Sequence, residues 1–263
     1  MGRLLRAAWA EDPPAGLSPI WAGRGPGFDL QWDILSDPPP ALPQGADVLH
    51  LAGVTRGDVA ALQRNVAMVA PLALACRKAA VRRIILASSV AVYAPGVLPS
   101  EETEAVAAAN PYGQSKVETE AAMRGAASCP VTALRIGNVA GADALLGPRG
   151  PDEIVLDPVA GCKGGPLRSW IGAATLAKVL GQLIPQPLPP VLNLACDPPQ
   201  YMADLLTASG LRWRFGPPNP GVVPVATVSV RRLARLVCLP MADPARLAAE
   251  AVWARKVLSG AQA

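Results

Sequence analysis

Short apolar runs that stop abruptly at small or polar residues alternate with longer amphipathic stretches over much of this chain. Three such runs stand out: Asp47-Val-Leu-His-Leu-Ala-Gly53, Ile84-Ile-Leu-Ala-Ser-Ser-Val-Ala-Val-Tyr93 and Val131-Thr-Ala-Leu-Arg-Ile-Gly-Asn-Val139. Continuous apolar runs of this length predict strands buried on both faces. Between the first two, Asp58 to Ala80 is rich in alanine and reads as helix despite Pro71. The order strand, helix, strand, loop, helix, strand predicts an α/β fold with a doubly wound parallel sheet. Three strand ends that each run into a small or polar loop are where such a sheet builds its ligand crevice.

The flanking elements are weaker. Gly2 to Ala10 reads as a helix stopped by Pro13-Pro14, and Ser18 to Gly23 and Phe28 to Asp33 read as strands. Pro38-Pro-Pro40 and Pro43 make a stiff loop. Gly141 to Ser169 is a glycine- and proline-rich excursion, after which Trp170 to Leu183 reads as helix and Val191 to Ala195 as strand. Helices at Tyr201 to Ser209 and Pro244 to Leu258, with a short strand near Leu211, complete the chain. The expected division is a Rossmann-like body, residues 1–140 plus 170–196, and a small C-terminal substrate lobe, residues 141–169 plus 197–263.

Composition narrows the function class. With 51% hydrophobic and 17% charged residues the chain is of a soluble globular kind. A net charge of +4 with dispersed arginines argues against a nucleic-acid surface, which would gather them on one face. Five widely spaced cysteines without a C-x-x-C pair fit reduced thiols in the cytoplasm and speak against a disulfide framework or zinc. His50 is the only histidine, so no metal centre or triad built on histidines is expected. No signal peptide and no run of about 18 uncharged apolar residues is visible, so no membrane span is expected.

The candidate chemistry centres on Asn110-Pro-Tyr-Gly-Gln-Ser-Lys116. Tyr112 and Lys116 are four apart and share one face of a helix. An ammonium beside a phenol favours the phenolate, so the expectation is a tyrosine of lowered pKa, able to exchange a proton with a substrate hydroxyl. Taken alone the pair also fits an ordinary helix with one aromatic and one solvated lysine.

In company with the strand ends it does more. The chain resembles the extended short-chain dehydrogenase/reductases, also called the NAD-dependent epimerase/dehydratase family, from about Gly2 to Asn193. His50-Leu51-Ala52-Gly53 is similar to the family's loop after the fourth strand, Asn65-Val66 to its helix asparagine, and Ser88-Ser89 through Val92-Tyr93 to its serine strand. Tyr112 and Lys116 match its catalytic pair, and Arg135 to Val139 its segment after the sixth strand. The resemblance implies NAD or NADP as cofactor and hydride transfer at a substrate carbon bearing a hydroxyl or carbonyl. Tyr112 is the implied general acid/base, Lys116 its tuning residue and a ribose ligand, and Ser89 the partner of the reacting oxygen. Leu51, Ala52, Gly53, Ser88, Gly137 and Asn138 are implied at the cofactor, and Val90, Asn138 and Arg168 with Ser89 at the substrate. Asn65 either orders backbone or water near Lys116 or is a helix-face residue without a role. Arg168 either meets a nucleotide-sugar phosphate or is a surface arginine.

The N-terminus departs from the family. Its first strand and G-x-x-G-x-x-G turn would cradle a pyrophosphate, and here Met1-Gly2-Arg-Leu-Leu-Arg is similar to the helix that opens at the third glycine, Gly2. The expectation is a split sheet with an unpaired edge. Two explanations compete: a reading frame begun about a dozen residues late, by usual strand lengths, or a shortened relative. Gly23-Arg24 holds an arginine near the slot where an acidic residue would select NAD, a lean toward NADP unless Arg24 is merely solvated. Asp33-Ile34 matches the residues that meet the adenine edge, or else Asp33 caps a turn. No carboxylate follows Ser89 in Val90-Ala91-Val92, which disfavours elimination and leaves a reductase or an epimerase of a small molecule, nucleotide sugars included. A homodimer is compatible with this reading. The alternative is a catalytically silent dinucleotide-binding sensor or interaction protein.

Overall fold

In the computed structural model, which describes residues 1–148 and 153–260, helix α1 (Gly2–Glu11) is followed by two very short strands, β1 (Ala22–Gly23) and β2 (Leu30–Gln31). Strand β3 (Asp47–His50) leads through helices α2 (Val59–Ala67) and α3 (Val69–Lys78) to β4 (Arg83–Ser89). A 3-10 turn at Val90–Val92 and helix α4 (Pro111–Ala126) lead on to β5 (Val131–Ile136). Strands β6 (Asn138–Ala140), β7 (Ile154–Leu156) and β8 (Leu167–Gly172) precede helix α5 (Ala173–Leu183) and strand β9 (Val191–Leu194). The remainder is β10 (Cys196–Tyr201), α6 (Met202–Ala208), β11 (Trp213–Phe215), β12 (Val225–Ala226) and α7 (Pro244–Ser259).

The central sheet has the order β3-β4-β5-β9, and every pair in it is parallel. Its strands are covered on both faces, and the alternation along β4 shows how. Ile85 and Ala87 join Leu4, Leu5 and Trp9 of α1 and Leu176, Leu180 and Leu183 of α5 in one cluster. Ile84 and Leu86 join Val69, Leu72 and Cys76 of α3 and Met123 of α4 in another. This is the doubly wound arrangement, with successive side chains feeding opposite layers.

Local signals explain the helices that carry the site. Asp58 caps α2, its side chain accepting from Ala61 N at 2.8 Å. The predicted helix over 58–80 is two helices that meet at Met68. Pro71 falls in the first turn of α3, where its missing N–H costs nothing. Together α2 and α3 make a 20-residue apolar stretch long enough for a membrane, and here they pack on the sheet and on α4. Asn110 caps α4 through a bond from Gly113 N at 2.8 Å, with Pro111 at the first helical position.

Several expectations need correction. Trp170 to Gly172 is strand, not the start of a helix, and α5 begins only at Ala173. The Trp170 side chain is fully buried and its backbone pairs with Asn138 of β6 and Cys196 of β10, so strand pairing and burial set its conformation rather than helical periodicity. The serine strand ends at Ser89, and Val90 to Val92 turn away. β1 and β2 shrink to two residues each and pair only with one another. Among the described residues no strand joins them to β3, so the sheet is split as expected. As the edge of the four-stranded sheet, β3 keeps Val48 and Leu49 half-buried, where full burial was expected; Ile84, Ile85, Leu134 and Ile136 are buried as expected. β10 escaped the pattern reading because Cys196-Asp-Pro-Pro-Gln-Tyr201 carries two prolines. They sit at a register shift between Cys196 and Gln200. Part of the expected loop, residues 149–152, lies outside the described residues.

Candidate active site

Ser89, Tyr112 and Lys116 come together at the carboxyl ends of the central strands. Ser89 is the last residue of β4, and Tyr112 and Lys116 lie on the first turns of α4. The Tyr112 phenol is hydrogen-bonded to the Ser89 hydroxyl, which also accepts from Ala91 N at 3.2 Å. The Lys116 ammonium is buried, donates to the Ala87 carbonyl at 3.0 Å and stands 6.0 Å from the centre of the Tyr112 ring. Gly113 lets α4 come this close. A Cβ there would fall far inside contact with the carbonyl oxygen of Ala91 in the turn after Ser89.

Electrostatics corrects one expectation. Tyr112 does not have a lowered pKa in this state. Burial pushes it above the ordinary tyrosine value, and the bond with Ser89 offsets only part of that. Lys116 is brought down to about 8 by burial, with Glu120 pulling the other way. His50, at the end of β3, is lowered to about 4 by burial and by the Lys116 charge, so it is neutral near pH 7.

The loop after β3 is held against this site by Asn65. Its amide accepts from Val54 N at 2.7 Å and donates to Val54 O at 2.9 Å and to Ser115 Oγ at 3.1 Å. This two-way clamp orders the backbone at Val54. Gly53 lies so close that a Cβ would stand 3.2 Å from Asn65 Oδ1 and 3.3 Å from Lys116 Nζ. Gly53 therefore leaves open backbone beside the ammonium, while Leu51 packs against the core, a cradle of the kind a ribose and nicotinamide require. The residues at this end of the sheet fit the nicotinamide half of a dinucleotide.

Ser88 points elsewhere. Its hydroxyl donates to Glu120 at 2.5 Å, inside a buried group that sequence reasoning missed. Glu120 is clasped by Arg135 of β5 at 3.1 and 3.0 Å and by Arg124 at 2.8 Å. Arg135 also stacks on Tyr93, whose hydroxyl donates to Asn193 at 2.7 Å. The one available signal was charge inside apolar runs, since Arg135 interrupts a buried strand and must find a partner.

The other expected residues are scattered. Val90 opens the turn after Ser89 and packs with Val92 and Tyr93. Gly137 is backed by the Ser169 carbonyl, 2.6 Å from a Cβ built on it, so its smallness serves the contact between β5 and β8. Asn138 lines an open cavity with Asp143, Glu153, Ile154 and Met202. Arg168 donates to the carbonyls of Val223 at 2.7 Å and Leu167 at 2.8 Å. Gly2 opens α1 with free space about it. Arg24 is exposed, following β1. Asp33 accepts from Leu35 N at 3.2 Å, the turn cap that was one of its two readings, and Ile34 packs on the α3 cluster. Among the described residues no cluster of His, Cys, Asp or Glu could hold a metal.

A Rossmann-like sheet with a tyrosine, lysine and serine at its carboxyl edge is the arrangement that the resemblance to the extended short-chain dehydrogenase/reductases implies. Residues 45–160 match the model of the NAD dependent epimerase/dehydratase family. The comparison with curated protein sequences found no match. Among solved structures, MoeE5 in complex with UDP-glucuronic acid and NAD is 23% identical, with a TM-score of 0.76 over 97% of this chain and 96% of that one. TunA, an NAD dependent NDP-hexosamine 5,6-dehydratase involved in tunicamycin biosynthesis, is 22% identical, with a TM-score of 0.73 over 97% and 95%. A mutant UDP-glucuronic acid 4-epimerase from Bacillus cereus, in complex with a fluorinated sugar nucleotide and NAD, is 16% identical, with a TM-score of 0.75 over 97% and 96%. At these identities the likeness establishes the fold.

Proposed function

We propose that the protein is an NAD-dependent oxidoreductase or epimerase acting on a hydroxyl-bearing carbon of a nucleotide sugar. The observation that carries this reading is the convergence of Ser89, Tyr112 and Lys116, with the phenol already bonded to the serine hydroxyl. A substrate hydroxyl placed in that bond meets a donor and an acceptor at once, which is what proton transfer during alcohol oxidation requires. In the oxidation direction Tyr112 must first lose its own proton; as phenolate, favoured by the Lys116 charge, it takes the substrate hydroxyl proton and returns to the phenol, while Ser89 holds the oxygen as it becomes a carbonyl. NAD, when bound, supplies the hydride acceptor. Elimination is not part of the reading, because Val90-Ala91-Val92 offers no carboxylate.

NAD is favoured because the neighbours just described carry it. The preference for NADP rests on Arg24 alone, an exposed side chain. Nucleotide sugars are the substrate class of those neighbours. Incubation with NAD and UDP-glucose or UDP-glucuronic acid, followed by proton NMR of the sugar, tests the proposal. A new anomeric signal or accumulated NADH is expected. Binding of NAD by calorimetry with no turnover of either sugar would leave a dinucleotide-binding module and remove the catalytic reading for these substrates.

A further inference from the structure

Tyr112, Lys116 and Glu120 are spaced four apart on α4, and each reaches one of three consecutive residues of β4. Tyr112 meets Ser89, Lys116 donates to Ala87 O, and Glu120 accepts from Ser88. The first two contacts belong to the catalytic reading. The third is a buried carboxylate one helical turn beyond a buried ammonium, on the same face. Two buried ionisable groups so placed feel each other with little screening.

We propose that Glu120 is a positioning residue that acts through Lys116, holding its ammonium in the charged form against β4. The role of Lys116 in turnover rests on the function proposed above; the electrostatic link does not. Glu120 is itself fixed from three sides, by Ser88 of β4, Arg135 of β5 and Arg124 of its own helix. The other groups about the ammonium supply no negative charge. His50 of β3 is neutral near pH 7, Asn65 of α2 is an amide, and Tyr112 is a protonated phenol of raised pKa. Glu120 raises the lysine pKa, and burial alone would discharge the lysine further. Arg124 is partly exposed and tempers Glu120 from the solvent side, so it opposes the effect.

The test is a pH titration of the full chain labelled with 15N-lysine, read at the Lys116 side-chain nitrogen and assigned by its loss in Lys116→Met. No substrate is needed, so failure here is distinct from failure of the functional reading. The wild-type midpoint is expected at about 8. Glu120→Gln is expected to lower it by ~0.5 unit or more, and Arg124→Gln to raise it, because the two remove opposite charges. In an enzyme that turns over, the alkaline limb of the kcat profile moves in the same direction as the midpoint, a response that loss of packing alone would not give. A folded Glu120→Gln protein whose midpoint does not fall overturns the proposal. Glu120→Gln leaves two arginines short of a partner; where it does not fold, Arg124→Gln decides, and a midpoint that does not rise overturns the proposal.

Discussion

Lys116 donates to the main-chain carbonyl of Ala87 across 3.0 Å, which seats its charge two residues before the serine that holds the Tyr112 phenol. The tyrosine, serine and lysine are thus gathered at one place where a strand end meets a helix. Substituting one member should disable the rest. Tyr112→Phe keeps the ring and removes the proton relay. A loss of about 10² to 10⁴-fold in kcat is expected, the usual worth of a general acid/base, with little change in NAD affinity. Lys116→Met is expected to lower both rate and NAD affinity, and the double variant to be no worse than about the poorer single one. Steady-state kinetics and calorimetry on the three variants check this. Full turnover by Tyr112→Phe with intact fold would dismiss the catalytic role.

The same lysine costs stability. Its folded pKa is about 8, against an ordinary value of 10.5, because burial penalises the charged form. Between those values the unfolded chain binds more protons at this position than the folded one, so stability rises with pH across that window. The penalty is complete below about pH 8 and gone above 10.5, on the order of 3 kcal/mol at most. Lys116→Met should therefore resist urea better than the wild type at pH 7, less whatever the Ala87 bond contributes. The difference should close as the pH approaches 10.5. An equal pH slope in the two proteins would show that the ammonium is not desolvated.

His50 provides an independent reading of the same environment. It is the chain's only histidine, so its ring protons form an isolated NMR signal. Burial and the Lys116 charge set its midpoint at about 4 rather than 6.5. The folded state then binds fewer protons than the unfolded one between those values, and stability falls as the pH drops through that window. His50→Gln should flatten the acid limb of the stability curve. A midpoint near 6.5 would place His50 in solvent and remove this account of the β3 edge.

The layered fold and the three central residues were legible because their signals are local. Buried parallel strands read as apolar runs, and Tyr112 and Lys116 share a helix face whatever surrounds them. What stayed hidden depends on partners distant in the chain. Glu120 looks like an ordinary helix glutamate until Arg135 and Ser88 close on it. The direction of the Tyr112 shift was misread because spacing shows which charge is near but not how much water is lost. Trp170 was placed in a helix because strand pairing to Asn138 and Cys196 has no signature in its own neighbourhood.

Glu250 and Gly172 show such a long-range device in a form that can be measured. The N-terminus of α5 has no capping side chain of its own, since Gly172 occupies the cap position. The carboxylate of Glu250, brought in from α7, accepts from Thr175 N at 2.8 Å and Thr175 Oγ1 at 2.6 Å. A negative group there satisfies a free N–H and meets the positive end of the helix. Only a glycine leaves room for it, because a Cβ at position 172 would collide with the carboxylate. Glu250→Ala should cost about 1–2 kcal/mol, the usual worth of a cap. Gly172→Ala should cost a similar amount by displacing the carboxylate. With Glu250 already gone, the added methyl no longer meets the carboxylate, so the double variant should be less destabilised than the sum of the singles, by about 1 kcal/mol. Urea unfolding of the four proteins measures this coupling. Additive losses would mean that the two residues do not share one site.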